Sequence, residues 1–117
     1  MRLAWVGGTV HALIGGAILF LSLHPLRDAL DAHALDLART GSTFEALIGI
    51  ILMLAAANTR ARLATTAMAV GITVFAAMLY FIVFTGLRPP IIVLVPIGGA
   101  TALLGLAALI FAGPGRP

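Results

Sequence analysis

The sequence predicts an all-α fold: a polytopic membrane four-helix bundle with a short amphipathic interfacial helix between spans one and two. Three observations predict it. Of the 117 residues, 62% are hydrophobic and only 9% charged, whereas a soluble globular domain carries about a quarter charged residues, so water cannot be the main solvent. The apolar residues fall into runs long enough to cross a bilayer, about 3–23, 43–58, 63–86 and 91–112. Finally, the stretch from Ser22 to Glu45 holds every acidic residue of the chain (Asp28, Asp31, Asp36 and Glu45), together with His24, His33, Arg27 and Arg39, as a water-facing cap would.

The remaining composition narrows the function classes. The net charge of +3 comes from seven arginines with no lysine, scattered beside apolar runs rather than gathered on a face. Arginines placed so are topology signals, and the basic face that nucleic-acid binding needs is missing. Without cysteine there is no disulfide, thiolate metal site or thiol nucleophile. Leu3 to Leu23 is too long for the apolar core of a signal peptide, and the small-x-small pattern at Ala32-His33-Ala34 lies too far beyond it, so the first span is expected to be retained. The whole chain reads as one transmembrane domain.

As a helix, Leu3 to Leu23 rises about 31 Å, enough for a hydrocarbon core of roughly 30 Å. Trp5 sits near its start, where an amphipathic ring anchors at headgroup level. Gly8, Ala12 and Gly16 recur every four residues, and Gly7, His11 and Gly15 repeat the spacing one position over, a flat groove for close helix packing. Pro25 is suited to a first helical residue. From it, an interfacial helix over about 25–39 would place Leu26, Leu30, His33 and Leu37 on one side, with Arg27, Asp28, Asp31 and Arg39 mostly opposite. Arg27 with Asp31 and Asp36 with Arg39 would pair on the wet face, and Thr40-Gly41 would stop the helix.

Ser42-Thr43-Phe44-Glu45 matches a capping box that would start span two. A span beginning at Thr43 and ending at Asn58 is short, about 24 Å, and puts Glu45 near one interface. Asn58 to Arg62 is a polar turn; span three follows, with Tyr80, Phe81 and Phe84 grouped at its far end like an aromatic belt. Leu87-Arg88-Pro89-Pro90 turns the chain, Pro96 with Gly98 and Gly99 should kink or delay the last span, and Gly98, Ala102 and Gly105 give that span a flat side. Gly113 to Pro117 reads as a frayed tail. Ala12-Leu13-Ile14-Gly15 and Ala102-Leu103-Leu104-Gly105 look alike, an echo that apolar sequence of low complexity produces without a repeat.

Three groups are candidates for chemistry. His11 lies within the hydrocarbon region, where an ionisable group is a functional-site hypothesis by default, set against a neutral imidazole hydrogen-bonded across the bundle to a threonine or carbonyl. Haem ligation would need a second axial ligand, and no other histidine shares its depth. His24 could join Asp28 on a helical face, but the His and Asp spacing matches no metal signature, so neither metal nor cofactor is expected. Glu45 invites comparison with small four-span proton-coupled multidrug transporters, whose membrane carboxylate lies at mid-depth in the first span; here the capping box accounts for it. No nucleophile with a neighbouring base is found, and the chain is not expected to be an enzyme.

The order of features resembles an uncharacterised family of small four-span membrane proteins, known in bacteria as a domain of unknown function and in animals as a small transmembrane protein. The residues that carry the resemblance are the glycine-rich first span ending Leu23-His24 and followed by Leu26-Arg27-Asp28-Ala29-Leu30, the run Leu79-Tyr80 leading to Thr85-Gly86-Leu87, and Pro96-Ile97-Gly98-Gly99. The chain departs from the family's pattern where Phe44-Glu45 stands for Tyr-Gln, Ile48 for a histidine, and Ala76-Ala77-Met78 for Ser-Gly-Ser. The resemblance implies fold and location rather than activity. Together these observations lead to an expected accessory, scaffold or assembly subunit that acts through helix packing, within the chain, between copies or against a larger membrane complex, in a bacterial inner membrane. A small proton-coupled transporter using Glu45 or His11 is the alternative. Arg2, Arg60, Arg62 and Arg116 on one side, against Arg27, Arg39 and Arg88 on the other, favour cytoplasmic termini.

Overall fold

The computed structural model describes residues 1–58 and 61–114; Thr59 and Arg60 of the polar turn and residues 115–117 of the tail lie outside the described residues. Among the described residues five α-helices follow in order: α1 (Arg2–Leu23), α2 (Leu26–Ala29), α3 (Ala32–Asn58), α4 (Arg62–Thr85) and α5 (Leu94–Ala112), the last preceded by a 3-10 turn at Pro90–Val93. Four segments are long and apolar enough to cross a membrane: Arg2–Leu23, Ala32–Asn58, Arg62–Thr85 and Pro90–Ala112. The chain is therefore an all-helical integral membrane protein of four packed spans.

The short helix between spans one and two is present but covers only Leu26–Ala29, not 25–39. Leu30 turns extended (φ −110°, ψ 148°), and Asp31 then caps a new helix, its Oδ1 accepting from Ala34 N at 2.8 Å. From there α3 runs unbroken through Thr40-Gly41 to Asn58. A glycine stops a helix by adopting the left-handed conformation, as Gly86 does, whereas Gly41 keeps a negative φ; only Gly86 and Gly113 have positive φ among the described residues. Gly41 serves packing instead: a Cβ there would collide with the Leu79 side chain of α4. Gly86 (φ 71°) ends α4, and Pro96, inside the first turn of α5 where no intrahelical partner is lost, delays that helix behind the 3-10 turn.

The bundle is two antiparallel pairs, α1 with α3 and α4 with α5, joined along α3 and α4. Each pair closes on glycine. A Cβ on Gly8 would lie 2.6 Å from the Gly49 carbonyl, one on Gly49 2.5 Å from Ala12 N, and one on Gly15 2.7 Å from the Ser42 carbonyl. In the second pair, a Cβ on Gly71 would collide with Ala102 N, one on Gly98 would lie 2.8 Å from the Gly71 carbonyl, and one on Gly105 2.7 Å from the Ala64 carbonyl. Backbones touch where side chains would otherwise hold them apart. Gly8-Ala12-Gly15 and Gly98-Ala102-Gly105 thus play equivalent parts, so the tetrapeptide echo in the sequence marks one packing device used twice.

Gly16, expected in the first seam, is exposed with open space around it, and Gly15 takes the place. The reason is periodicity: at 3.6 residues per turn a step of seven from Gly8 returns to the same face, while a step of eight overshoots it. Between the pairs lies the apolar core of Ile48, Leu52, Met68, Ile72 and Ala102, and a second cluster of Ala38, Leu79 and Val83 sits toward the α2 end.

Candidate functional site

The threonine hydroxyls of the spans mostly bond back within their own helix, as Thr9 does to the Trp5 carbonyl and Thr101 to that of Ile97. One place differs. Polar side chains from α1, α3 and α4 converge there: His11 Nδ1 lies 2.6 Å from Glu45 Oε2, His11 Nε2 lies 2.9 Å from Thr73 Oγ1, and the Tyr80 hydroxyl donates to Glu45 Oε1 at 2.5 Å.

Sequence and packing together place these groups. Glu45 precedes Gly49 by four residues and therefore shares its face of α3, the face that α1 approaches closely through Gly8 and Ala12. His11 sits beside that contact. Across the seam Gly8 meets Gly49 and Gly15 meets Ser42, so Ala12 and its neighbour His11 stand level with Glu45. On α4, Thr73 and Tyr80 are seven residues apart and on one face. Thr73 reaches His11 and Tyr80 reaches Glu45, so the chain Thr73–His11–Glu45–Tyr80 extends about 10 Å along α4.

Depth follows from the helix limits. His11 is close to the middle of Arg2–Leu23, Thr73 close to the middle of Arg62–Thr85, and Glu45 at the centre of Ala32–Asn58. The Glu45 side chain is 1% exposed and that of His11 14%. The carboxylate is therefore deep and buried, not shallow, and the capping box does not form: Ser42 Oγ donates to the Arg39 carbonyl at 3.2 Å, and both Glu45 oxygens are taken across helices. The misplacement arose with the helix start. With α3 beginning at Ala32 rather than near Thr43, Glu45 moves three turns inward.

Donor and acceptor roles assign the protons. Thr73 Oγ1 gives its single hydrogen to the Ala69 carbonyl at 2.7 Å, so it accepts from His11 Nε2–H. Tyr80 donates to Oε1. One proton then lies between His11 Nδ1 and Glu45 Oε2, held either as imidazolium beside carboxylate or as imidazole beside carboxylic acid. Both forms keep every hydrogen bond. A lone charge at this depth would be expensive, and sharing one proton across a bonded pair avoids it. Both imidazole nitrogens are engaged, which leaves no lone pair to ligate haem iron.

The remaining sequence candidates are dispersed. His24 is exposed, its ring tilted on Phe20 with centroids 4.5 Å apart, and among the described residues it forms no hydrogen bond or ion pair with Asp28. His33 shares the side of Leu30 and Leu37 but is exposed at its edge, where it accepts from Arg88 at 2.6 Å. Trp5, Arg27 and Asp28 are exposed as expected, but the Arg27–Asp31 and Asp36–Arg39 pairs do not form among the described residues. Asp31 is used as a cap, and Arg39 reaches back to the Ser22 carbonyl at 2.9 Å to close the end of α1. Tyr80, read as part of an aromatic belt, turns inward to Glu45. No group of three or more His, Asp or Glu side chains converges among the described residues.

Sequence reasoning found His11 and Glu45 separately and missed that they meet, along with Thr73. The available signal was the hairpin itself: two antiparallel helices joined by a short connector bring residues equidistant from it to one level.

No curated protein and no solved structure matches the chain. The family model described as "Protein of unknown function (DUF423)" matches residues 21–99 and so includes Glu45, Thr73 and Tyr80. With two thirds of its length matched, and the motifs from Leu23-His24 to Gly98-Gly99 within that match, the chain belongs to this uncharacterised family.

Proposed function

We propose that this membrane protein is a small proton-coupled carrier whose proton-binding element is the His11–Glu45 pair. The observation that supports the reading is a buried carboxylate near the middle of its span, 2.6 Å from an imidazole nitrogen, in a chain of hydrogen bonds leading through Tyr80 toward the α2 side. Ionisable groups at such depth mark proton relays and ion pathways. Loss of the shared proton leaves one net negative charge among apolar helices, which a lipophilic cation can neutralise, so exchange of such a cation for the proton is the reaction class. The carrier works without enzymatic chemistry, and the proposed location is a bacterial inner membrane with cytoplasmic termini.

A second reading, an accessory or assembly subunit, rests on a different observation: both Glu45 oxygens are satisfied in this conformation, as in a clasp binding three helices. The small residues do not decide between the readings: Gly8, Gly98, Ala102 and Gly105 pack within the chain, one of the three uses expected of them.

Glu45→Gln separates the two. The amide oxygen can accept from Tyr80 while its NH2 donates to His11 Nδ1, so a clasp survives and proton exchange does not. Proteoliposomes carrying a pH gradient should accumulate the probe tetraphenylphosphonium with the wild-type protein and lose that accumulation with Glu45→Gln at unchanged melting. Accumulation that persists in the variant, or is absent from the wild type, would rule out the carrier.

A further inference from the structure

A second site lies away from the proton pair, on the seam between α3 and α4. An apolar cavity of about 530 Å3 opens between α3, α4 and α5, walled by Leu37, Phe44, Phe75, Leu79, Val95 and Leu103. Directly above it, at the α2 end, a cavity of about 300 Å3 is lined by polar groups that include Asp31, His33, Thr85 and Arg88. Leu37 borders both. The two cavities adjoin at Leu37: His33, Leu37, Gly41 and Phe44 follow one another along one face of α3, as Phe75, Leu79 and Val83 do on α4.

The dimensions and charge of this cleft select its occupant. From His33 to Phe44 it runs about 16 Å along α3, close to half of the roughly 30 Å hydrocarbon core. Its lower part therefore faces acyl chains over the depth of one leaflet, and its upper part reaches the headgroup layer. Arg88 is exposed there, outside the spans, and its described side-chain bond is the single one donated to His33, which leaves further guanidinium donors available. The acidic neighbour Asp31 directs Oδ1 to the Ala34 amide as a helix cap.

We propose that this cleft binds one anionic phospholipid of the host membrane, its phosphate on Arg88 beside His33 and one acyl chain in the apolar groove. An anionic headgroup complements the arginine, and the chain completes a wall that protein side chains leave open.

The test presents the purified full chain in detergent with phosphatidylglycerol and phosphatidylcholine of identical acyl chains, and counts retained lipid by native mass spectrometry. Wild-type protein should retain phosphatidylglycerol over phosphatidylcholine by about fivefold, the factor equivalent to the ~1 kcal/mol that one basic residue contributes near an anionic surface. Arg88→Gln, on an exposed loop, should bring the two lipids to parity. Ala100→Trp, which projects an indole into the groove from an exposed position of α5, should reduce retention of both. Equal retention by the wild type, a preference that survives Arg88→Gln, or undiminished retention by Ala100→Trp would each overturn the proposal.

Discussion

Replacing Gly49 by alanine should force α1 and α3 apart, and the size of the effect can be worked from the contact. The new Cβ would sit 2.5 Å from Ala12 N, 2.7 Å from the Gly8 carbonyl and 3.0 Å from the His11 carbonyl carbon. Ordinary contact begins at about 3.4 Å, so the helices must separate locally by about 0.9 Å (3.4 − 2.5). All three obstructing atoms are backbone, and no side-chain rotation relieves them. Overpacking of this kind costs about 1–3 kcal/mol. Alanine recovers up to ~1 kcal/mol of helix propensity, which leaves a net loss of up to about 2 kcal/mol. Gly16→Ala meets open space and receives only the gain, so the two variants should move stability in opposite directions. The separation would also stretch the 2.6 Å His11–Glu45 contact, coupling the seam to the site. Reversible unfolding in mixed micelles, followed by far-ultraviolet circular dichroism, measures both. Gly49→Ala at or above wild-type stability, or Gly16→Ala as destabilising as Gly49→Ala, would refute the backbone-contact argument.

Other expectations follow from single contacts. Tyr80→Phe leaves Glu45 Oε1 without its donor and should lower stability by about 0.6–2 kcal/mol in the same unfolding assay, whereas Glu45→Leu, which strands both His11 Nδ1 and the tyrosine hydroxyl, should lower it more than Glu45→Gln. Asp31→Ala removes the cap of α3 and should cost about 1 kcal/mol, with faster amide exchange confined to the first turn of that helix. Gly86→Ala puts a side chain where φ is 71° and should cost about 1–2 kcal/mol despite the open space around that residue.

How far the site could be read from the sequence turned on helix starts and depth. His11 stood out because an imidazole in an apolar run is conspicuous, and a threonine partner was foreseen for it. Glu45 was explained by Ser42 because Ser-Thr-Phe-Glu satisfies the capping pattern, and a pattern of four residues carries no information on whether the helix has already begun. Asp31 had begun it eleven residues earlier. A capping box at Ser42 would hold the carboxylate at the interface, away from any partner across the bundle. Tyr80 was misread for a related reason: an aromatic residue near the end of a span satisfies the belt rule whether its hydroxyl points to water or inward.

The sequence by itself determined that the chain lives in lipid, how many times it crosses, and the turn at Gly86 to Pro90, since these depend on hydrophobicity and on proline and glycine acting locally. It also marked which faces carry small residues. Only the tertiary structure decided which glycines touch, because Gly15 and Gly16 differ by one residue and 100° of helix rotation. It likewise decided that His11, Glu45, Thr73 and Tyr80 form one network. Those four residues come from three helices, and their meeting is set by how deeply one backbone slides against another. That register is the sum of many backbone contacts spread over the seams, and no local stretch of residues encodes it.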